Sequence, residues 1–188
     1  MKKYDYEKKK HRDMIAEMIK LEKFKIVAEV GLEKCRMTKS VLKQCGNIIT
    51  QYWAIDIFEP SDSHERYYES NISLENWKEL YRYACRLMVF FPQLHILRMS
   101  SLEAATLFPI SYFDLVFIDS DHRYEPTKKD IKAWLPKVKR GGVLSGHDYS
   151  LNITKRTHHK GVTQAVDEAF GNRKFIIGEK VWVKEVKG

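Results

Sequence analysis

The chain has 188 residues, a length that suits one domain, 1–188, with one sizeable core. Hydrophobic residues make up 44% of it, enough for packing, and charged residues make up 31%, enough to solvate the surface. No apolar run approaches the roughly 20 residues that a membrane helix needs, and the charged first residues lack the apolar stretch of a signal peptide. We therefore expect a cytoplasmic protein without a membrane span. The three cysteines form no CxxC pair, which argues against a zinc knuckle or a disulfide framework.

The formal net charge of +8 would suit an anionic partner such as nucleic acid. However, the lysines are spread along the chain, and the densest basic group lies within the first twelve residues. This spacing favours a solvated helix face over a nucleic-acid patch, so we do not expect nucleic acid as a partner.

Helical and strand-like patterns alternate along the chain. In chain order they predict an amphipathic lead-in helix 6–23, a strand 24–31, a helix 37–44, a strand 48–57, a polar loop 58–71, a helix 74–88 capped by Ser73 and stopped by Pro92, a strand 94–99, a helix 101–108, a strand 113–118, a helix from about Pro126, a strand 143–146 after Gly141-Gly142, a helix 161–170, and a hairpin of strands 175–177 and 181–183. The alternation predicts a Rossmann-like α/β fold, in which residues 24–188 form a doubly wound, mostly parallel seven-stranded sheet with a C-terminal antiparallel hairpin.

Ligands of such sheets bind beyond the carboxyl ends of the strands, and the first strand is followed there by Glu29 and Gly31. A glycine at this point lets the backbone approach a ligand closely, and a carboxylate can accept hydrogen bonds from a cofactor. An ordinary strand-to-helix turn would look similar, and both interpretations stay open.

The second predicted strand ends near Asp56, about 25 residues after Gly31. In nucleoside binders an acidic residue here holds the ribose hydroxyls, because a carboxylate offers two accepting oxygens. The alternative is a turn or N-cap aspartate.

Five acidic and imidazole side chains follow the fourth and fifth predicted strands. They are Asp119, Asp121, His122, His147 and Asp148. A right-handed crossover between the two strands would bring these residues to one edge of the sheet. Such a cluster suits a divalent metal or general acid–base chemistry, and a hydrogen-bonded polar rim is the alternative.

Two motifs in the second half of the chain carry a family resemblance: FIDSDHRYE at 117–125 and GGVLSGHDY at 141–149. They resemble the class I S-adenosylmethionine (SAM) dependent methyltransferases, and most closely a small bacterial branch with "IDxDHxYE" followed by "GGxxxxHDY". The resemblance spans about 24–170 and the final hairpin. It implies SAM as the cofactor and methyl transfer to a hydroxyl of a small molecule or sugar.

The resemblance also implies a role for each candidate site residue. The cofactor-binding residues would be Glu29, Gly31, Asp56, Ser100, Ser101, Leu102 and Asp119. The catalytic residues would be Asp121, His122 and His147, with Asp121 or His122 as the base that deprotonates the acceptor. A divalent cation, Mg²⁺ or another, would be held by Asp119, His147 and Asp148.

Three residues depart from the family pattern. Cys35 replaces the second glycine of the cofactor loop, and Ser100 stands where an acidic residue usually faces the adenine. His147 replaces one carboxylate ligand, which favours a softer metal than Mg²⁺, or no metal.

The acceptor pocket is predicted from the loop 58–72, the N-terminal helix and the segment 149–160. Lys155, Arg156, His158 and His159 in that last segment would favour an anionic or polyhydroxylated acceptor, unless they belong to a solvated loop. The acceptor is expected to be a small molecule, and a homo-oligomer is left open.

Three other functions remain as alternatives. A Rossmann oxidoreductase is disfavoured because GxGxxG is absent and the last strands form a hairpin. A nucleic-acid methyltransferase is disfavoured because no NPPY-like tetrad is present. A catalytically degenerate SAM fold that serves as a binding module is kept open by the three departures.

Overall fold

The computed structural model describes residues 10–59, 73–150, 160–178 and 180–187. Within these ranges the strands are β1 (Ile26–Val30), β2 (Gln51–Asp56), β3 (Leu94–Arg98), β4 (Phe113–Ile118), β5 (Val138–Gly146), β6 (Phe175–Ile177) and β7 (Val181–Glu185). The α-helices are α1 (His11–Glu22), α2 (Arg36–Cys45), α3 (Leu74–Phe90), α4 (Ser101–Thr106), α5 (Tyr124–Trp134) and α6 (Lys160–Phe170).

The strands form one seven-stranded sheet in the order β3-β2-β1-β4-β5-β7-β6. Strands β1 to β5 pair in parallel, whereas β7 is antiparallel to both β5 and β6. The predicted mostly parallel sheet with an antiparallel C-terminal hairpin is therefore confirmed. The strand order reverses between β1 and β4, which is where a doubly wound sheet binds its ligand.

Helices cover both faces of the sheet because the central strands are apolar on both sides. On one face, residues of α1, α2 and α3 pack against alternate strand residues such as Val27, Leu115 and Phe117. On the other face, residues of α4, α5 and α6 pack against Ala28 and Val116. The predicted inward face of the lead-in helix is confirmed, since Met14, Ile15, Met18 and Ile19 are all buried.

Local signals place the helix ends close to the predicted positions. The Ser73 side chain accepts a hydrogen bond from the Asn76 amide and caps α3, as predicted. Ser100 caps α4 in a capping box with Glu103. The described part of the lead-in helix begins at His11, and residues 1–9 lie outside the described ranges.

The start of β5 differs from the prediction. We expected the strand to begin after Gly141-Gly142, but it begins at Val138 and contains both glycines. Val138 pairs with Phe113, and the register then shifts so that Leu115 pairs with Val143. The glycines therefore lie in an irregular stretch of the strand rather than in a turn before it.

None of the described helices is both long enough and apolar enough to cross a membrane.

Candidate functional site

A cleft of about 760 Å³ opens at the carboxyl ends of the parallel strands. Its volume lies within the range of small-molecule and cofactor sites. The structure brings every predicted site residue to the lining of this cleft, namely Glu29, Gly31, Asp56, Ser100, Ser101, Leu102, Asp119, Asp121, His122, His147 and Asp148.

Three residues of the loop between β1 and α2 adopt a backbone conformation that favours glycine, although only one of the three is glycine. Gly31, Glu33 and Cys35 all have positive φ, at +90°, +45° and +52°. This left-handed region disfavours residues other than glycine by about 1–2 kcal/mol. Cys35 therefore adopts the left-handed conformation with a buried side chain, and Glu33 is a second such position that the sequence pattern did not reveal.

Gly31 is required by the close approach of two backbones. A Cβ atom at this position would lie 2.2 Å from the carbonyl oxygen of Asp119. The Asp119 amide donates to the Val30 carbonyl at 2.7 Å, which draws the two strand ends together. We predicted that the glycine makes room for a ligand, but its nearest neighbour is the protein's own chain.

Asp56 organises the loop above it. Its Oδ2 accepts hydrogen bonds from the amides of Leu32 at 2.8 Å and Glu33 at 3.1 Å. Its Oδ1 accepts one from the Phe58 amide at 2.7 Å. The residue thus fixes the β1–α2 loop and its own turn, which combines the turn interpretation with a position in the cleft.

Glu29 lies beneath this loop and is almost completely buried. Its Oε2 accepts hydrogen bonds from Tyr52 Oη at 2.5 Å and Thr38 Oγ1 at 2.6 Å. Burial raises the pKa of Glu29 to about 8, although the two hydrogen bonds act in the opposite direction. The carboxyl group is therefore mainly protonated at neutral pH.

The predicted adenine side of the cleft is held by a buried carboxyl group. Ser101 Oγ donates to Asp130 Oδ1 at 2.6 Å, and Ser120 Oγ donates to Asp130 Oδ2 at the same distance. Trp134 Nε1 donates to Ser101 Oγ at 2.8 Å. Asp130 thus ties the first residue of α4 to the loop after β4, a link between two walls of the cleft that sequence reasoning missed.

Asp119, His122 and Asp148 meet where β4 and β5 end, as the crossover argument predicted. His122 Nε2 lies 2.9 Å from Asp148 Oδ2 and 3.7 Å from Asp119 Oδ1. Burial lowers the pKa of His122, but the two carboxylates outweigh burial and raise it to about 10. Burial would raise the pKa of Asp148, but hydrogen bonds from His122 and His147 hold it well below its usual range.

His147 forms a second contact with the same carboxylate. Its Nδ1 lies 3.2 Å from Asp148 Oδ1 and 3.8 Å from Asp119 Oδ1. The ring of His11, at the start of α1, packs against it with ring centroids 4.5 Å apart. The lead-in helix therefore closes one side of the cluster.

Asp121 is turned toward Arg123. The guanidinium group donates to both carboxylate oxygens, with distances of 2.7–3.1 Å, and the Arg123 amide donates at 2.9 Å. Burial would raise the pKa of Asp121, but Arg123 outweighs burial and lowers it. This ion pair makes Asp121 a weak base.

The comparisons with known proteins agree with this geometry. A family model described as a methyltransferase domain matches residues 33–149, which is more than half of the chain. The chain belongs to the class I SAM-dependent methyltransferase family.

One curated relative of this chain is y4gI of Sinorhizobium fredii, an uncharacterized protein, 26% identical over 148 residues. The match covers 75% of this chain and 15% of y4gI, so the chain spans a small part of that protein.

Three solved structures show the breadth of the fold. A protein described as an O-methyltransferase from Klebsiella pneumoniae is similar with a TM-score of 0.66 at 15% identity, over 95% of this chain and 80% of that one. The O-methyltransferase NovP is similar with a TM-score of 0.60 at 17% identity, over 94% and 78%. Spermidine synthase from Thermotoga maritima has a TM-score of 0.60 at 16% identity, over 95% and 59%. At these identities the likeness shows the fold alone, and the synthase shows that the fold does not fix the reaction.

Lys180 is a further cleft residue of this chain that sequence reasoning missed. It lies between β6 and β7, and its Nζ is 3.3 Å from Asp148 Oδ1. The predicted C-terminal hairpin could have pointed to Lys180, because it returns the chain to the end of β5.

The cluster does not fit a divalent cation as it stands. The donor atoms of Asp119, His122 and Asp148 lie within 4.8 Å of one another, so His122 rather than the predicted His147 completes the closest set. However, Lys180 Nζ already lies 3.3 Å from Asp148 Oδ1, so a cation bound at this carboxylate would meet the lysine side chain. Two unit charges 4 Å apart repel by about 4 kcal/mol at a partly exposed site, and a divalent ion would roughly double this.

The remaining predicted parts of the acceptor pocket lie mostly outside the described residues. This holds for 60–72 in the loop after β2 and for 151–159, including Lys155, Arg156, His158 and His159.

Proposed function

We propose that this chain transfers a methyl group from SAM to an oxygen atom of a small-molecule acceptor, and that His147 takes the proton of the acceptor hydroxyl. One observation carries the proposal: the loop after β1 and the Asp148–His147 pair line the same cleft. Family membership supports SAM as the donor. The O-methyltransferases among the structurally similar proteins support oxygen as the acceptor atom.

The cofactor would lie across the ends of β1, β2 and β3. SAM supplies an electrophilic methyl group on a sulfonium centre. Asp56 Oδ1 accepts one amide hydrogen bond in the structure, so it has a second acceptor site for a ribose hydroxyl. Gly31 and Asp119 would lie near the methionine part, and Ser100, Ser101 and Leu102 would line the adenine side.

His147 suits the role of the base better than the other two predicted catalytic residues. If its Nδ1 donates to Asp148, its Nε2 is left as an acceptor for the hydroxyl proton. Asp121 is neutralised by Arg123, and His122 is protonated between two carboxylates. We infer that His122 holds Asp119 and Asp148 together, while Asp148 orients His147.

The test measures methyl transfer from labelled SAM to a panel of phenols, catechols, sugars and hydroxy acids. His147→Gln should lower the transfer rate by about 10²–10⁴-fold, the range of general base catalysis. Calorimetry with the product S-adenosylhomocysteine (SAH) should show affinity within a few-fold of the wild type, because the proposed cofactor residues are intact.

The matched control is His95→Gln, a histidine on β3 that stacks on Trp53 and does not line the cleft. It should transfer methyl groups at the wild-type rate. Retained activity in His147→Gln would remove His147 as the base. SAH binding without transfer to any acceptor class would favour the binding-module alternative.

A further inference from the structure

We propose that Lys180 is a positioning residue that holds Asp148 with a built-in positive charge, in the place where a divalent cation would otherwise bind. The inference deepens the proposed function and rests on it for the role of Asp148 and His147. In this cluster, the protein's own basic side chains supply the positive charge that balances the Asp148 carboxylate.

The antiparallel pairing of β5 and β7 positions Lys180. In this ladder Ser145 pairs with Val183 and Gly146 pairs with Trp182. Beyond the last pair, Lys180 and Asp148 each lie two residues from the ladder, on the two chains that leave it. The Tyr149 amide donates to the Lys180 carbonyl at 3.0 Å, so the backbone contact continues past the end of the strand.

Three basic side chains surround the Asp148 carboxylate. Oδ2 is 2.9 Å from His122 Nε2, while Oδ1 is 3.2 Å from His147 Nδ1 and 3.3 Å from Lys180 Nζ. Both oxygens therefore have basic partners on the protein. A metal ion at Asp148 Oδ1 would have to compete with His147 and Lys180 for the same oxygen.

Lys180 differs from the two histidines because an ammonium group offers no lone pair and cannot itself become a metal ligand. Its side chain is 28% exposed, lines the same cleft as Asp148 and is the more exposed partner of the pair. From there it repels an incoming cation and keeps Oδ1 beside His147 Nδ1. Lys180 thus acts on the proposed base through Asp148.

The experiment titrates Mn²⁺ into the protein, with and without SAH, and measures free Mn²⁺ by electron paramagnetic resonance. The wild type should show no stoichiometric site. Lys180→Ala and Lys180→Met should bind Mn²⁺ at least tenfold more tightly, because the competing charge is removed. Lys180→Arg should behave like the wild type, because it restores the charge.

Lys174→Ala is the matched control, since it also removes a lysine from an ion pair, with Asp167 Oδ1 at 2.6 Å, outside the cleft lining. It should leave Mn²⁺ binding unchanged. A stoichiometric Mn²⁺ site in the wild type that Asp148→Asn abolishes would overturn the proposal. So would the absence of any gain in folded Lys180→Ala and Lys180→Met. A lack of SAH binding would count against the proposed function alone, because Mn²⁺ is measured directly.

Discussion

Single carboxylates organise the backbone at both edges of this sheet. Asp56 accepts amide hydrogen bonds from Leu32 and Glu33 at the carboxyl edge. Asp114 accepts them from Lys25 and Ile26 at the amino edge, each at 2.8 Å. Both aspartates accept hydrogen bonds from two backbone amides, but of the two only Asp56 lines the large cleft.

We predict that Asp56→Ala weakens SAH binding by about tenfold or more. The variant loses the hydrogen bonds that shape the cofactor loop and the proposed ribose contact, and hydrogen bonds to a charged group contribute about 1.5–3 kcal/mol each. Calorimetry measures the affinity, and Asp114→Ala is the matched control. Equal losses in both variants, or none in Asp56→Ala, would remove Asp56 from the cofactor site.

We predict that the free energy of unfolding depends on pH through the protonation of Glu29. Burial raises its pKa from 4.5 to about 8, so its stabilising contribution is complete below pH 4.5 and is lost as pH rises through about 8. The free energy of unfolding should therefore fall by up to about 1.4 kcal/mol for each pH unit in this window. Glu29→Gln should lack this part of the pH dependence, because glutamine does not titrate.

Urea unfolding at pH 5 and pH 8 checks the prediction for the wild type, Glu29→Gln and the exposed control Glu125→Gln. Glu125→Gln should follow the wild type. An identical pH dependence in Glu29→Gln would show that the buried carboxyl group is not the source.

The sequence was enough to predict which residues line the cleft, but not which side chains they form hydrogen bonds and ion pairs with. Asp121 is correctly placed at the end of β4, but its ion pair with Arg123 depends on how the loop folds back. A hydrophobic pattern carries no information on that loop's dihedral angles. Lys180 was missed for a related reason, because its position depends on the register between two strands that are far apart in the chain.

At the scale of elements, the β1–α2 loop adopts a backbone conformation that favours glycine at positions where the sequence has other residues. Glu33 and Cys35 adopt the left-handed conformation without being glycine, at φ of +45° and +52°. The intervening Lys34 has no such strain. The loop therefore offers neighbouring positions on which glycine should have opposite effects.

We predict that Glu33→Gly stabilises the fold by about 0.5–1 kcal/mol, because glycine relieves the strain of positive φ. Lys34→Gly should destabilise it by a similar amount, because it adds only unfolded-state freedom. Both changes remove the same exposed Glu33–Lys34 ion pair, so its loss does not distinguish them. Urea unfolding measures the two values, and the same sign for both would contradict the account.

The central parts of the elements were predictable, and their ends were less so. The strand Phe113–Ile118 was predicted with its observed bounds because it is buried and flanked by turns. The strand predicted at 48–57 is observed as Gln51–Asp56, since Ile48 and Ile49 pack against the core without joining the sheet. An apolar pattern reports burial, and burial alone does not require strand pairing.

At the scale of the whole molecule, the alternation of strands and helices was enough to predict the doubly wound sheet. Right-handed crossovers then place β4 beside β5 and bring Asp119, His122 and Asp148 to one edge. The C-terminal hairpin adds Lys180, and the lead-in helix adds His11. The parts of the acceptor pocket predicted at 60–72 and 151–159 stay predictions, as does the cytoplasmic location.

The proposed roles of the cleft residues all depend on the binding of SAM or SAH in this cleft. Calorimetric titration of the wild-type protein with SAH, with NAD⁺ as the comparison ligand, tests it most directly. We predict saturable binding of one SAH per chain and no binding of NAD⁺. Binding of NAD⁺ without SAH, or of neither ligand, would contradict it.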